Sequence, residues 1–126
     1  WVVSGKLVFI SGQITFVGGE LQYVGKVGAD FSVDAGQVEA RICGLNILAQ
    51  LRAAVGDLDR VVRCVRLGGF VNTTAAFTDQ PKVINGASDL MAEVFGDAGK
   101  HARAAVGVNT LPLGVAVEVE GMFEVD

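Results

Sequence analysis

The C-terminal part of the chain constrains the fold most, because it contains two alternating segments separated by a stretch that cannot be a strand. In residues 102–108, Arg103 lies among alternating alanine, valine and glycine. Residues 111–114 read Leu-Pro-Leu-Gly, and proline lacks a backbone donor while glycine adopts turn dihedrals. In residues 115–120, valines alternate with Ala116, Glu118 and Glu120. The pattern predicts two strands joined by a turn, with one arginine in an otherwise small and apolar strand.

The rest of the chain divides into short β-type runs and two helices. Runs rich in β-branched residues, separated by glycines, predict a hairpin and further short strands within residues 1–24 and another strand at 60–71. Ser32 is a suitable cap for a helix predicted from Val33 to Val55, and a second helix is predicted to start near Asp79. Strands combined with two helices predict an α+β domain over residues 1–126, with both helices on one face of a mixed sheet.

The first helix is predicted to be amphipathic. Its buried stripe is expected to include Val38, Leu45 and Leu48, because these apolar residues recur at helical spacing. Glu39 and Asn46 are expected on its outer face.

Composition favours an ordinary globular protein and argues against several partners. The chain is 51% hydrophobic and 19% charged, with a net charge of −4 and scattered lysines and arginines, which disfavours nucleic acid as the main partner. No apolar run reaches the roughly 18 residues of a membrane helix and no signal peptide is visible, so we expect a cytoplasmic protein. Cys43 and Cys64 fit no disulfide or metal spacing, so we expect both to be reduced and buried. Because Trp1 lies inside an expected strand, we expect further residues upstream of it.

The chemically useful residues are few. His101 is the only histidine, builds no catalytic triad, and is expected to be a solvated surface residue. No zinc spacing or phosphate-binding loop is present, so we expect no metal and no nucleotide cofactor. Arg103 would be poorly solvated and therefore needs an anionic partner. Two interpretations stay open: an ion pair with Glu118 at a sheet or subunit interface, or a carboxylate pocket in which Glu118 orients a water. Asn85 and the backbone at Ser11-Gly12 are the other candidates.

A family pattern runs through the chain. Its elements are LVFISGQ at 7–13, AAVGDLDRVVR at 53–63, Phe-Val-Asn at 70–72, Asn85, and Ala102-Arg103 followed by LPLG and VEVE. In these elements the sequence resembles the YjgF/RidA family of reactive-intermediate deaminases, whose members are also known as L-PSP endoribonucleases or translation inhibitors. The LPLG and VEVE motifs indicate a subgroup of that family.

The resemblance implies a chorismate mutase-like fold and a homotrimer whose pockets lie at the subunit boundaries. It also implies an enzyme of the 2-iminobutanoate/2-iminopropanoate deaminase type, which hydrolyses enamines and imines such as 2-aminoacrylate to 2-keto acids and ammonia. No cofactor is implied. By resemblance, Arg103 holds the substrate carboxylate and Glu118 positions or activates the attacking water.

The resemblance also assigns the remaining pocket residues. Asn85 and Ser11 would line the pocket, and the backbone N–H groups of Gly12 and Ala105 would face the substrate. Two departures stand out: Ala105 occupies the place of a cysteine that the deaminases usually carry, and their pocket tyrosine falls upstream of Trp1.

Three functions therefore compete. The first is an imine/enamine deaminase that uses Arg103 and Glu118. The second is a non-catalytic binder of small carboxylates such as 2-keto acids. The third is an endoribonuclease, which the acidic net charge and the lack of a basic aromatic surface disfavour.

Overall fold

A computed structural model describes all 126 residues, and it confirms the α+β class. The seven strands are β1 (Val2–Ser4), β2 (Leu7–Gln13), β3 (Phe16–Val17), β4 (Glu20–Leu21), β5 (Val61–Asn72), β6 (Ala102–Val108) and β7 (Val117–Val125). The two α-helices are α1 (Val33–Val55) and α2 (Gln80–Phe95). Short 3₁₀ turns cover Leu58–Arg60, Gly96–Gly99 and Pro112–Gly114. Neither α-helix combines the length and apolar composition that a membrane span requires.

The main sheet has the strand order β1-β2-β7-β5-β6. Strands β5 and β6 are parallel and connected through α2, whereas the other neighbouring pairs are antiparallel. Strands β3 and β4 form a separate small hairpin. Strand β5 therefore lies between β6 and β7, so the Pro112–Gly114 turn does not close a hairpin. This order leaves β6 at one edge of the sheet.

Local sequence signals set the helix ends where they were predicted. The Ser32 Oγ accepts a hydrogen bond of 3.2 Å from the Ala35 N–H, which caps the first turn of α1. Gly56 follows the last turn with φ of 87°, a conformation that glycine adopts without strain, and its N–H donates to the Arg52 carbonyl. Helix α2 carries Pro81 in its first turn and ends before Gly96.

The predicted buried stripe of α1 is wrong in part. Val38 and Leu45 are 50% and 48% exposed, whereas Glu39 is fully buried. The sequence pattern places large apolar residues in the buried stripe, whereas the structure packs α1 against α2 through small residues. At Gly44, an added Cβ would lie 3.0 Å from Leu90 Cδ2, so the two helices approach too closely for a large side chain there.

The core lies between the helices and the inner face of the sheet, and it includes both cysteines. Cys43 and Cys64 are buried and unpaired, which confirms the prediction. The Cys43 thiol donates to the Val117 carbonyl at 3.5 Å, connecting α1 to β7. Other buried core residues are Val8, Ile10, Ile47, Leu51, Leu67, Val83, Ile84, Met91, Val119 and Phe123.

The opposite face of the sheet, which we call the outer face, carries no helices. Strand register places Val2, Phe9, Met122 and Arg66 in one row across β1, β2, β7 and β5. Val2 and Phe9 are 65% and 38% exposed. Exposed apolar side chains on a sheet face that no helix covers are typical of a surface that another molecule covers.

Glu39 is an unusual component of the interior. Its side chain is fully buried, and neither carboxyl oxygen has a hydrogen-bond partner. Burial disfavours the ionised form and raises the pKa of Glu39 from the ordinary 4.5 to about 8. In an unfolded chain the same carboxyl group ionises near pH 4.5. Between pH 4.5 and about pH 8 the native state therefore binds more protons than the unfolded state.

We therefore expect the free energy of unfolding to fall as pH rises from about 4.5 to about 8, by up to about 1.4 kcal/mol per pH unit from this group. Urea unfolding at several pH values measures this slope. Glu39→Gln should flatten it, whereas Glu20→Gln, which alters an exposed glutamate, should not. An unchanged slope in Glu39→Gln would contradict the assignment.

Candidate functional site

Arg103 projects from the edge of the sheet towards helix α2. It lies in register with Leu67 of β5, which is fully buried beneath the helices, so both side chains point to the helix side. Because β6 is the edge strand, the guanidinium extends over the border of the core. Its Nη1 donates to Asn85 Oδ1 at 2.7 Å and to Ser88 Oγ at 3.1 Å.

Helix α2 supplies both of these partners from a single face. Asn85 and Ser88 are three residues apart, a spacing that places side chains side by side on a helix. Asn85 was a predicted site residue. Ser88 was not predicted, although its spacing from Asn85 was a signal that could have identified it.

His101 is connected to the same group, so the prediction of a solvated surface residue is wrong. It is partly buried, and both ring nitrogens have partners. Nε2 lies 2.9 Å from Ser88 Oγ, and Nδ1 lies 2.6 Å from the Gly99 carbonyl oxygen. We call Arg103, Asn85, Ser88 and His101 the Arg103 cluster. Ala105 follows on the same face of β6, in register with Gly69.

Arg103 has no carboxylate partner in the chain. The five ion pairs in the structure involve other residues, and the guanidinium donates only through Nη1. Lys26, the other partly buried cation, differs because its ammonium donates to three oxygen atoms. The predicted ion pair between Arg103 and Glu118 is therefore absent within one chain, and Nε and Nη2 of Arg103 make no hydrogen bond within it.

Glu118 lies on the outer face of the sheet. It is in register with Phe70 of β5. The preceding residue of β5, Gly69, faces the helices, because a Cβ added to Gly69 would lie 2.5 Å from the Ile84 side chain. Because neighbouring residues of a strand point to opposite faces, Phe70 and Glu118 point away from the helices. Arg103 and Glu118 thus lie on different sides of the sheet, with β5 between their strands.

A β-bulge in β2 forms the second part of the site. The register passes from Ile10 opposite Gly121 to Gln13 opposite Val119, so two residues, Ser11 and Gly12, face Glu120 alone. A Cβ on Gly12 would lie 2.8 Å from Glu118 Cδ, so the carboxyl group packs directly against the bulge. Ser11, Gly12 and Glu118 are called the Glu118 cluster.

The environment of Glu118 favours its protonated form more than water does. Burial is the main cause of its raised pKa, and repulsion by Glu120 adds to it. A carboxylate with a raised pKa holds a proton more readily, which suits exchange of protons with a bound water.

Each cluster borders a concavity. One of about 210 Å³ on the outer face is lined by Ser11 together with Phe9, Arg66, Glu120 and Met122 among others. A wider one of about 400 Å³ is lined by Ser88, His101 and Arg103. No group of three or more histidine, cysteine or acidic side chains is arranged to hold a metal ion. The chain thus presents guanidinium donors on one surface and a carboxyl group on another.

Comparison with known proteins places the chain in a family. The family described as "YjgF/chorismate_mutase-like, putative endoribonuclease" matches residues 1–124. The chain therefore belongs to the YjgF/RidA family, as its motifs indicated. Its fold is that of the family's solved members.

Three relatives illustrate the match. Protein TCP17 of Trypanosoma cruzi is 49% identical over 127 residues, which cover 100% of this chain and 79% of that protein. The crystal structure of the protein Atu1372 of Agrobacterium tumefaciens, whose function is unknown, matches this chain with a TM-score of 0.97 and 44% sequence identity. The match covers 99% of this chain and 79% of the Atu1372 chain. The crystal structure of RidA from the Antarctic bacterium Psychrobacter matches this chain with a TM-score of 0.65 and 28% sequence identity. The match covers 98% of this chain and 85% of that RidA chain.

The contact between Gly12 and Glu118 gives a prediction. Gly12→Ala should push the flexible carboxyl group away from the bulge towards water, so the pKa of Glu118 should fall towards its ordinary value. The melting temperature should change by only a few degrees, because the displaced atoms are the end of a side chain. Carbon-13 NMR titration of the glutamate carboxyl groups measures the shift.

Gly44→Ala serves as the control, since Gly44 packs on Leu90 and Ala87 of α2 and not on Glu118. It should leave the titration of Glu118 unchanged. A Gly12→Ala protein in which Glu118 titrates as in the wild type would show that the carboxyl group does not pack on the bulge.

Proposed function

We propose that this protein hydrolyses reactive 2-imino acids, formed from enamines such as 2-aminoacrylate, to 2-keto acids and ammonia. The observation that carries the proposal is the partly buried Arg103 guanidinium, which lacks a carboxylate and keeps two donor atoms unused. A planar guanidinium matches a carboxylate with two parallel hydrogen bonds. The substrate therefore carries a carboxylate next to the reacting carbon.

Asn85 and Ser88 explain how Arg103 would select its ligand. Nη1 donates both hydrogen bonds to the protein, which constrains the guanidinium, and Nε and Nη2 make no hydrogen bond within the chain. A bound 2-imino acid would place its carboxylate on these donors and its C=N carbon a short distance beyond. Ala105, two residues along the same face of β6, would border the substrate through its backbone N–H.

Glu118 would act on water. In the proposed reaction, water adds to the C=N carbon while Glu118 takes one of its protons and passes it to the imine nitrogen, which gives a carbinolamine with one OH and one NH2 group. Glu118 then takes the hydroxyl proton as the C=O bond of the keto acid forms and delivers it to the NH2 group, which leaves as ammonia. The overall change is one imine plus one water to one ketone plus one ammonia, and it needs neither a cofactor nor a metal. Ser11 and the Gly12 N–H would border the reacting group beside Glu118.

The two clusters would form one site only between two copies of the chain. Arg103 lies at the β6 edge and Glu118 on the outer face, so two different surfaces must meet. Contacts between different surfaces generate closed rings when the rotation allows it. We propose a homotrimer with three such sites, in which the outer faces and their exposed apolar side chains cover one another. A cytoplasmic location agrees with two unpaired cysteines and belongs to the same proposal.

The test is turnover of 2-aminoacrylate, generated from serine by a dehydratase, with semicarbazide present to trap the imine. A deaminase competes with the trap, so the wild-type protein should lower the yield of semicarbazone. Arg103→Ala should reduce kcat/KM by about 100-fold or more, because charge-assisted hydrogen bonds worth about 3 kcal/mol are lost. Glu118→Gln should reduce kcat by about 100- to 10,000-fold, because it removes the general base.

The matched control is Arg52→Ala, which removes an exposed arginine at the end of α1 and should leave turnover unchanged. A wild-type protein that does not compete with the trap, yet is stabilised by pyruvate through Arg103, would be a carboxylate binder instead of an enzyme. Cleavage of single-stranded RNA that survives Arg103→Ala would support the ribonuclease described for the family and contradict this proposal.

A further inference from the structure

A chain of hydrogen bonds runs behind Arg103. It passes from the Gly99 carbonyl to His101, then to Ser88 and then to Arg103, with distances of 2.6, 2.9 and 3.1 Å. Neither Ser88 nor His101 belongs to the pocket residues expected from the sequence. Both would nevertheless determine where the guanidinium lies.

Donor and acceptor chemistry fixes the direction of this chain. A carbonyl oxygen only accepts, so His101 Nδ1 must carry the hydrogen that it shares with Gly99. In a neutral imidazole Nε2 is then an acceptor, and it takes the hydroxyl hydrogen of Ser88. The hydroxyl oxygen of Ser88 is left with its lone pairs facing Arg103, whose Nη1 donates to it.

We propose that Ser88 and His101 are positioning residues that orient the Arg103 guanidinium for the substrate carboxylate. Without His101, the Ser88 hydroxyl rotates freely and can turn its hydrogen towards the cation. With His101, its oxygen is held towards Nη1, and together with Asn85 it fixes the guanidinium from behind. This proposal rests on the proposed function, because it assumes that Arg103 binds a carboxylate.

The benefit is preorganisation. Arginine has a long side chain with many rotamers, and ordering it at the moment of binding reduces affinity. A guanidinium that is already held in place by two acceptors does not incur this loss. Ser88 and His101 should therefore affect substrate binding more than the chemical step.

The first test needs no activity. Nitrogen-15 NMR of the imidazole distinguishes the two neutral tautomers, and the structure requires hydrogen on Nδ1 of His101, which is the tautomer that free histidine favours less. We expect the Nδ1–H tautomer in the wild-type protein and also in Ser88→Ala, because the Gly99 carbonyl that fixes it is retained, whereas the Nε2 chemical shift should change when the Ser88 hydroxyl is lost. A wild-type protein with mainly the Nε2–H tautomer would overturn the proposal.

The second test separates binding from chemistry. Ser88→Ala and His101→Ala should each raise KM, and the dissociation constant of pyruvate, by about 3- to 10-fold, with kcat within about 2-fold of the wild type. Ser88→Thr keeps the hydroxyl and should restore KM. The double variant should be no worse than Ser88→Ala alone, since His101 acts through Ser88. Asp89→Asn, an exposed neighbour on α2, is the control and should change nothing.

The outcomes distinguish the two proposals. If the wild type neither turns over imine nor binds pyruvate, the proposed function fails, whatever the tautomer of His101. If turnover depends on Arg103 while Ser88→Ala and His101→Ala keep the wild-type KM, only the positioning role fails. A rise in KM that Ser88→Thr does not restore would also overturn it, because a change in packing alone would then explain the effect.

Discussion

The parallel pairing of β5 with β6 is the constraint on which the site depends. This register sets Arg103 opposite Leu67 and so directs the guanidinium to the helix side, where Asn85 and Ser88 accept its hydrogen bonds. A shift of one residue would turn Arg103 to the outer face and leave both acceptors of α2 without it. Helix α2 is the crossover that makes the parallel pair, and it also supplies these acceptors. One structural unit thus creates the edge strand and positions the arginine on it.

The second cluster depends on an irregularity instead of a register. The bulge in β2 places Ser11 and Gly12 opposite one residue of β7, and glycine at the second position leaves room for the carboxyl group of Glu118. The consequence is a partly buried acid with a raised pKa, next to an apolar surface that no helix covers. The two clusters lie on surfaces that a single chain cannot bring together, so the proposed chemistry and the proposed assembly depend on each other.

Features that depend on neighbouring residues were predicted well from the sequence. Ser32 and Gly56 define both ends of α1, and strand alternation placed Arg103 and Ala105 on one face of β6. Features that depend on contacts between residues distant in the sequence were not predicted. Glu39 was expected outside, because nothing local shows that α1 packs through small residues, and His101 was expected to be solvated, because its partners come from α2 and from the turn before β6. The absence of the Arg103–Glu118 ion pair follows from the strand order, which no local pattern reveals.

The most direct test of the account is to mix two inactive proteins. Arg103→Ala and Glu118→Gln would each be inactive alone, and equal amounts would be dissociated in denaturant and reassembled together. If each site takes Arg103 from one copy and Glu118 from the next, random assembly should restore about a quarter of the wild-type activity, because half of the copies supply each intact residue. If both residues acted within one chain, every copy would still lack one of them. The mixture would then stay inactive, which would contradict a site shared between copies.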